Sequence, residues 1–170
     1  LRIAAGLEYL QEGSVRIGDN IVAAGSTQTP AEHRGVGLMF QDFALFPHLN
    51  VRDNVAFGLT SLSEIEKNRR IQEVLAQVNM VEHARDFPHT LSGGQQQRIA
   101  IARAIVNEPS LLLADEPTGN LDSHNAQVVF SILEKLNAEG RTICLITHDE
   151  NFALKAKRQL VIRDGMLVTQ

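Results

Sequence analysis

The run Leu111-Leu112-Leu113-Ala114-Asp115-Glu116 decides the fold. Four apolar residues without polar alternation suit a strand buried on both faces, the mark of a parallel sheet. Two carboxylic acids stand at its carboxyl end, the edge where parallel α/β sheets bind ligands. A second unalternated run, Thr142-Ile143-Cys144-Leu145-Ile146-Thr147, follows a stretch with Val128, Val129, Ile132, Leu133 and Leu136 at helical spacing. Upstream, Gly35 to Phe40 forms a third compact apolar run. Strand and helix alternate, which predicts an α/β domain with a mostly parallel sheet and helices on both faces.

Working outward, Leu1 to Leu7 reads as the tail of a helix closing on Gly6. Ser14 to Ile17 and Asn20 to Ala24, separated by Gly18-Asp19, read as short strands. Val51 to Leu59 is a short helix. Ser63 opens a longer one, with Glu66 placed to complete a capping box. A helix after Leu91-Ser92-Gly93-Gly94 runs to about Asn107, and Pro109 forbids its continuation. Phe152 to Lys157 reads as a short helix and Leu160 to Val168 as a hairpin around Asp164-Gly165. Val51 to Arg85 holds no strand, so this region is an inserted helical lobe.

With 170 residues the chain is at most one ordinary domain. Its net charge of −4 argues against a general nucleic-acid grip, which needs a basic face. The single cysteine, Cys144, cannot form an internal disulfide; it fits a reducing compartment and is expected to be a small buried hydrophobe. No apolar stretch is long enough to span a bilayer.

Several groups bear chemistry. A carboxylate such as Asp115 at a strand end can hold Mg²⁺, a cation that prefers oxygen ligands and keeps several waters, while Glu116 points elsewhere and can polarise a water. Ser92 can cap the next helix, and Gly93 and Gly94 leave its backbone N–H groups uncrowded, which suits an anion. His148, just past the Thr142 strand, could hydrogen-bond a phosphate oxygen. Gln41, at the end of the Gly35 run, could ligate a metal or position a water. The other histidines, His33, His48, His83, His89 and His124, have no metal-ligand spacing and are read as ordinary surface or structural residues.

The order of these pieces, Leu91-Ser92-Gly93-Gly94-Gln95, then Leu111–Glu116, then Gly119-Asn120-Leu121-Asp122, then His148, resembles the ATP-binding-cassette ATPases across almost the whole chain. The continuation Gln96-Gln97-Arg98-Ile99-Ala100-Ile101-Ala102-Arg103-Ala104 makes the signature highly specific. The resemblance implies a P-loop NTPase-like (RecA-like) fold, with a helical subdomain at about 48–105 and a catalytic core of 1–47 and 106–170. It implies ATP and Mg²⁺ as ligands, with Asp115 and Gln41 on the metal, Glu116 as general base and His148 as the switch histidine. Ser92, Gly93, Gly94 and Gln95 would reach the ATP of a second cassette paired head to tail, and Asp122 would lie in the loop that communicates across that dimer. Further implied are transmembrane permease partners, no nucleic-acid partner, and a peripheral place on the cytoplasmic face of the inner membrane. Residues Asp42 to Leu49, with exposed aromatics, resemble the region that docks on membrane subunits; Phe43 and Phe46 suit docking and core equally. Val36 to Leu49 is similar to importers of iron, sulfate or polyamines, whereas Ala114 to Asp122 is similar to the lipoprotein-release and macrolide-export group and is also seen in some importers.

The family's phosphate loop, G-x-x-x-x-G-K-[S/T], is missing: no Gly-Lys dipeptide occurs. The expectation is a partial domain that begins directly after that loop, unable by itself to hydrolyse ATP appreciably and poorly stable in isolation. Two rival functions stand beside the transport ATPase: a cassette ATPase of DNA repair, chromosome maintenance or translation, and a non-catalytic interaction module.

Overall fold

Side chains that satisfy free backbone N–H groups set where the main helices begin. The computed structural model describes residues 1–168, so the last two positions of the range assigned to the domain lie outside it. The elements in order are α1 (Arg2–Ala5), β1 (Ser14–Ile17), β2 (Asn20–Ala24), β3 (Thr27–Gln28), β4 (Val36–Met39), α2 (Val51–Ala56) and α3 (Glu64–Gln77). They continue with α4 (Gly93–Ile105), β5 (Leu111–Asp115), α5 (Ser123–Ala138), β6 (Thr142–Ile146), α6 (Glu150–Ala153), β7 (Val161–Arg163) and β8 (Met166–Val168). Ser63 and Glu66 form the expected capping box on α3, and Ser92 with Gln95 forms a second on α4. Asn50 caps α2 and Asp122 caps α5. Gly6 closes α1 in the left-handed conformation, with φ 83°, as its position after the apolar run requires.

The parallel sheet has the order β4-β5-β6. Register places Gly37, Leu112 and Ile143 in one row and Met39, Ala114 and Leu145 in another. These rows face a continuous core that includes Ile101 and Ile105 of α4 and Val129, Leu133 and Leu136 of α5. Gly37 is required by this packing, because a Cβ there would run into the backbone carbonyl of Ala104. The same core takes in Val51 and Val55 of α2 and Ile71, Val74 and Leu75 of α3, so the lobe helices and the sheet bury one common interior. The remaining strands form two antiparallel groups, β1-β2-β3 and the hairpin β7-β8.

Two expectations need correction. Cys144 is exposed rather than a buried hydrophobe. The whole β6 strand, expected to be buried, alternates: Ile143 and Leu145 pack on the core, while Thr142, Cys144 and Ile146 are exposed. The cause is position: β6 is the edge strand of the described three-stranded sheet, and only the face towards the α5 side is covered. The central strand β5 does match its continuous apolar run, with Leu112, Leu113 and Ala114 all buried.

Candidate functional site

The chain leaves β5 at Asp115 and turns sharply. Glu116 takes a left-handed backbone with φ 45°, unusual for a residue with a side chain and a form of strain found at functional turns. Its N–H still donates to Ile146 O at 3.0 Å, so the turn begins while the residue is held against β6. The Glu116 carboxylate accepts a hydrogen bond from His148 Nδ1, with Oε1 at 2.9 Å. The Glu116 side chain is mostly covered, at 19% exposure, whereas that of His148 is 80% exposed. The hydrogen bond and charge of Glu116 raise the pKa of His148 above its ordinary value, with a smaller contribution from Asp149.

Gln41, just past β4, belongs to the same group. Its backbone carbonyl accepts from Asn120 Nδ2 at 3.1 Å. The bare Cα of Gly119 lies between its amide and Glu116: a Cβ built there would sit 3.4 Å from Gln41 Nε2 and 3.6 Å from Glu116 Cβ. Sequence reading expected Glu116, His148 and Gln41 to act together, and the fold brings them to one edge. A cavity of about 430 Å³ opens beside them, lined by Glu116, Gly119, His148, Asp149, Phe152 and Lys155.

Ser92, Gly93, Gly94 and Gln95 form a separate station at the start of α4. Among the described residues, no hydrogen bond joins them to Asp115, Glu116 or His148. Gly93 lies against the Leu121 side chain and the Phe43 ring. Gly94 lies so close to Asn125 of α5 that no side chain fits between them. Asp122 Oδ1 accepts from Asn125 N at 2.9 Å and Oδ2 from Asn125 Nδ2 at 2.6 Å, and these bonds lower its pKa.

Among the described residues, no cluster of three or more His, Cys, Asp and Glu could hold a metal unaided. Asp115 and Gln41 offer isolated oxygens. That donor set fits Mg²⁺, which takes one or two protein carboxylates and fills its shell with waters and substrate phosphates.

Sequence reading missed the links between stations. Gln97, fully buried on α4, donates from Nε2 to Pro117 O at 2.5 Å, tying that helix to the turn beside Glu116. Asn54, also fully buried, donates to Phe46 O and Leu49 O and accepts from Phe46 N, fixing the loop after Gln41. His83 bonds both Asp86 and Gln95. Arg103 donates to Phe43 O and Ala44 O and lies over the Phe46 ring, which also packs on Phe57. Phe46 is thus half-buried but outside the core clusters, and Phe57 is exposed. A buried polar residue within an apolar helix face was the available signal for Gln97 and Asn54; nothing local marked His83.

Known proteins resemble this chain over most of its length. The profile of the ABC transporter family matches residues 1–119. The spermidine/putrescine import ATP-binding protein PotA of Marinobacter nauticus is 43% identical over 171 residues, which cover 98% of this chain and 45% of that protein. The cell division ATP-binding protein FtsE of Streptococcus pneumoniae is 41% identical over 163 residues, covering 94% of this chain and 71% of its own length. The chain therefore spans less than half of the import protein and most of FtsE. The dimeric post-hydrolysis structure of the ATP-binding cassette MJ0796 with ADP and Pi superposes with a TM-score of 0.85 at 35% identity, over 98% of this chain and 75% of that one.

Proposed function

We propose that this chain, which belongs to the ABC transporter family, is the ATP-hydrolysing part of a subunit that powers movement of a solute across a membrane. One observation carries the reading. At the carboxyl edge of β5 and β6, the Glu116 carboxylate and the His148 imidazole meet beside an open cavity, and the Gln41 amide lies on the other side of Gly119 from Glu116. An acid, an imidazole and an amide at one sheet edge suit the transfer of a phosphoryl group to water.

The chemistry asks the protein mainly to position reactants and to neutralise developing charge. Glu116 Oε1 is occupied by His148, which leaves Oε2 to take the proton of an attacking water. His148 holds that carboxylate in one orientation, and its exposed face is free to meet a phosphate oxygen. Gln41 orients the water. Asp115 and Gln41 would hold a Mg²⁺ arriving with the nucleotide, and that ion supplies charge neutralisation on the phosphates.

The lack of any hydrogen bond, among the described residues, from Ser92, Gly93, Gly94 or Gln95 to Asp115, Glu116 or His148 supports their serving a different nucleotide, the one bound to a second cassette in a head-to-tail dimer. The solved structure of MJ0796 is dimeric, which supports pairing with a second cassette. Asp122 and its turn then lie where the two cassettes meet. The helical lobe, about 48–105, with Phe46 and Phe57, docks on permease subunits and holds the protein at the cytoplasmic membrane face. No helix among the described residues is long and apolar enough to cross a membrane itself. The likeness to FtsE favours a second reading, coupling of the same cassette to cell division.

The test is ATP-dependent phosphate release by the complete gene product together with its membrane subunits. Glu116→Gln should lower the rate by about 10²–10⁴-fold, the usual contribution of a general base. Unchanged release in that variant would remove the assignment of Glu116, and a complete complex with no ATP-dependent release would remove the function.

A further inference from the structure

We infer that His83 is a positioning residue for the turn Ser92–Gln95, acting through the side-chain amide of Gln95; this rests on the function proposed above for that turn.

The argument follows the polarity of three consecutive hydrogen bonds. Asp86 Oδ2 lies 2.7 Å from His83 Nδ1, and a carboxylate can only accept, so Nδ1 carries a proton. Gln95 Nε2 lies 3.1 Å from His83 Nε2, and an amide NH₂ can only donate, so Nε2 carries none. That leaves Gln95 Oε1 facing Ser92, where it accepts from Ser92 N at 2.9 Å. Ser92 Oγ in return accepts from Gln95 N at 3.3 Å. Any other proton arrangement opposes donor to donor. With Nε2 protonated, the Gln95 amide must turn over, and its NH₂ then meets the Ser92 N–H. The neutral Nδ1–H form of His83 is thus the one that keeps the Ser92–Gln95 capping box closed.

The relay is anchored at its far end. Asp86 O accepts from Val51 N at 2.8 Å and Asp86 N donates to His83 O at 2.9 Å, which fastens it to the start of α2. Gly93 and Gly94 are held by packing on Leu121, Phe43 and Asn125, whereas the Ser92 N–H has Gln95 Oε1 as its partner. Ser92 is exposed and Gly93 half-buried, so the amide of Gln95 is a main determinant of where the Ser92 N–H and hydroxyl point.

Three substitutions in the full-length protein separate this role from space filling. Gln at position 83 can present an acceptor where Nε2 stands, whereas Asn reaches only as far as Nδ1. Hydrogen exchange at the Ser92 amide should therefore accelerate about fivefold in His83→Asn and His83→Ala, matching the loss of a typical cap, and stay near wild type in His83→Gln. The KM for ATP should rise in the same order, with melting temperatures of the three variants alike. Equal exchange at Ser92 in all three would overturn the assignment, as would rescue by Asn in place of Gln. The exchange readout needs no hydrolysis. A complex that proves inactive with ATP counts against the proposed function, while the exchange pattern still decides the role of His83.

Discussion

Glu116 and His148 share one proton-dependent contact with a measurable signature. His148 has its pKa raised, first by the hydrogen bond to Glu116 and then by its charge. The bond is strongest while the imidazole is protonated. Its contribution to stability is fully present below the ordinary histidine value of about 6.5 and is lost as pH rises through the higher folded-state value. His148 is exposed, so solvent screening keeps that contribution small. An NMR titration of the His148 ring should give a midpoint above that of an unpaired histidine, and Glu116→Gln should return it towards the ordinary value. A midpoint unmoved by the substitution would show that the pair does not persist in solution. Residue identity at this edge was legible from the order of the motifs. The left-handed turn at Glu116 was not, because nothing local in Asp115-Glu116-Pro117 demands a positive φ.

At the scale of elements, the contact between α4 and α5 is decided by a missing side chain. Gly94 sits against Asn125, whose Cβ as well as its amide would collide with an added methyl. Gly94→Ala should therefore destabilise the fold by about 1–3 kcal/mol, the usual cost of overpacking, although alanine is the better helix former. Urea denaturation measures this, and an unchanged midpoint would mean that α4 and α5 separate easily. Helix starts were largely readable in advance: Ser63 with Glu66 and Ser92 with glutamine three residues later are local patterns that need no partner. The short helix near the chain's end was misplaced. It was expected from Phe152 to Lys157, yet Asp149 caps a helix of Glu150–Ala153, its side chain accepting from Asn151 N.

Over the whole molecule, one core binds the lobe helices and the parallel sheet, and Leu112 sits in its central row at 1% exposure. Leu112→Ala should cost about 2–5 kcal/mol, lowering the unfolding midpoint of lobe and sheet together. Separate melting of the two regions would contradict a shared interior. The sequence by itself determined the element types, the caps and the succession of motifs, since apolar periodicity and capping chemistry act over a few residues. Only the tertiary structure decided which of those elements are covered. Thr142–Ile146 has the composition of a buried strand, yet its place at the described sheet edge exposes Cys144 and Ile146. It also decided the joins between stations: Gln97 to Pro117 across 20 residues of chain and Asn120 to Gln41 across 79. Local composition tells which side chains favour burial or a hydrogen bond, whereas the partner each one meets depends on how distant segments cross.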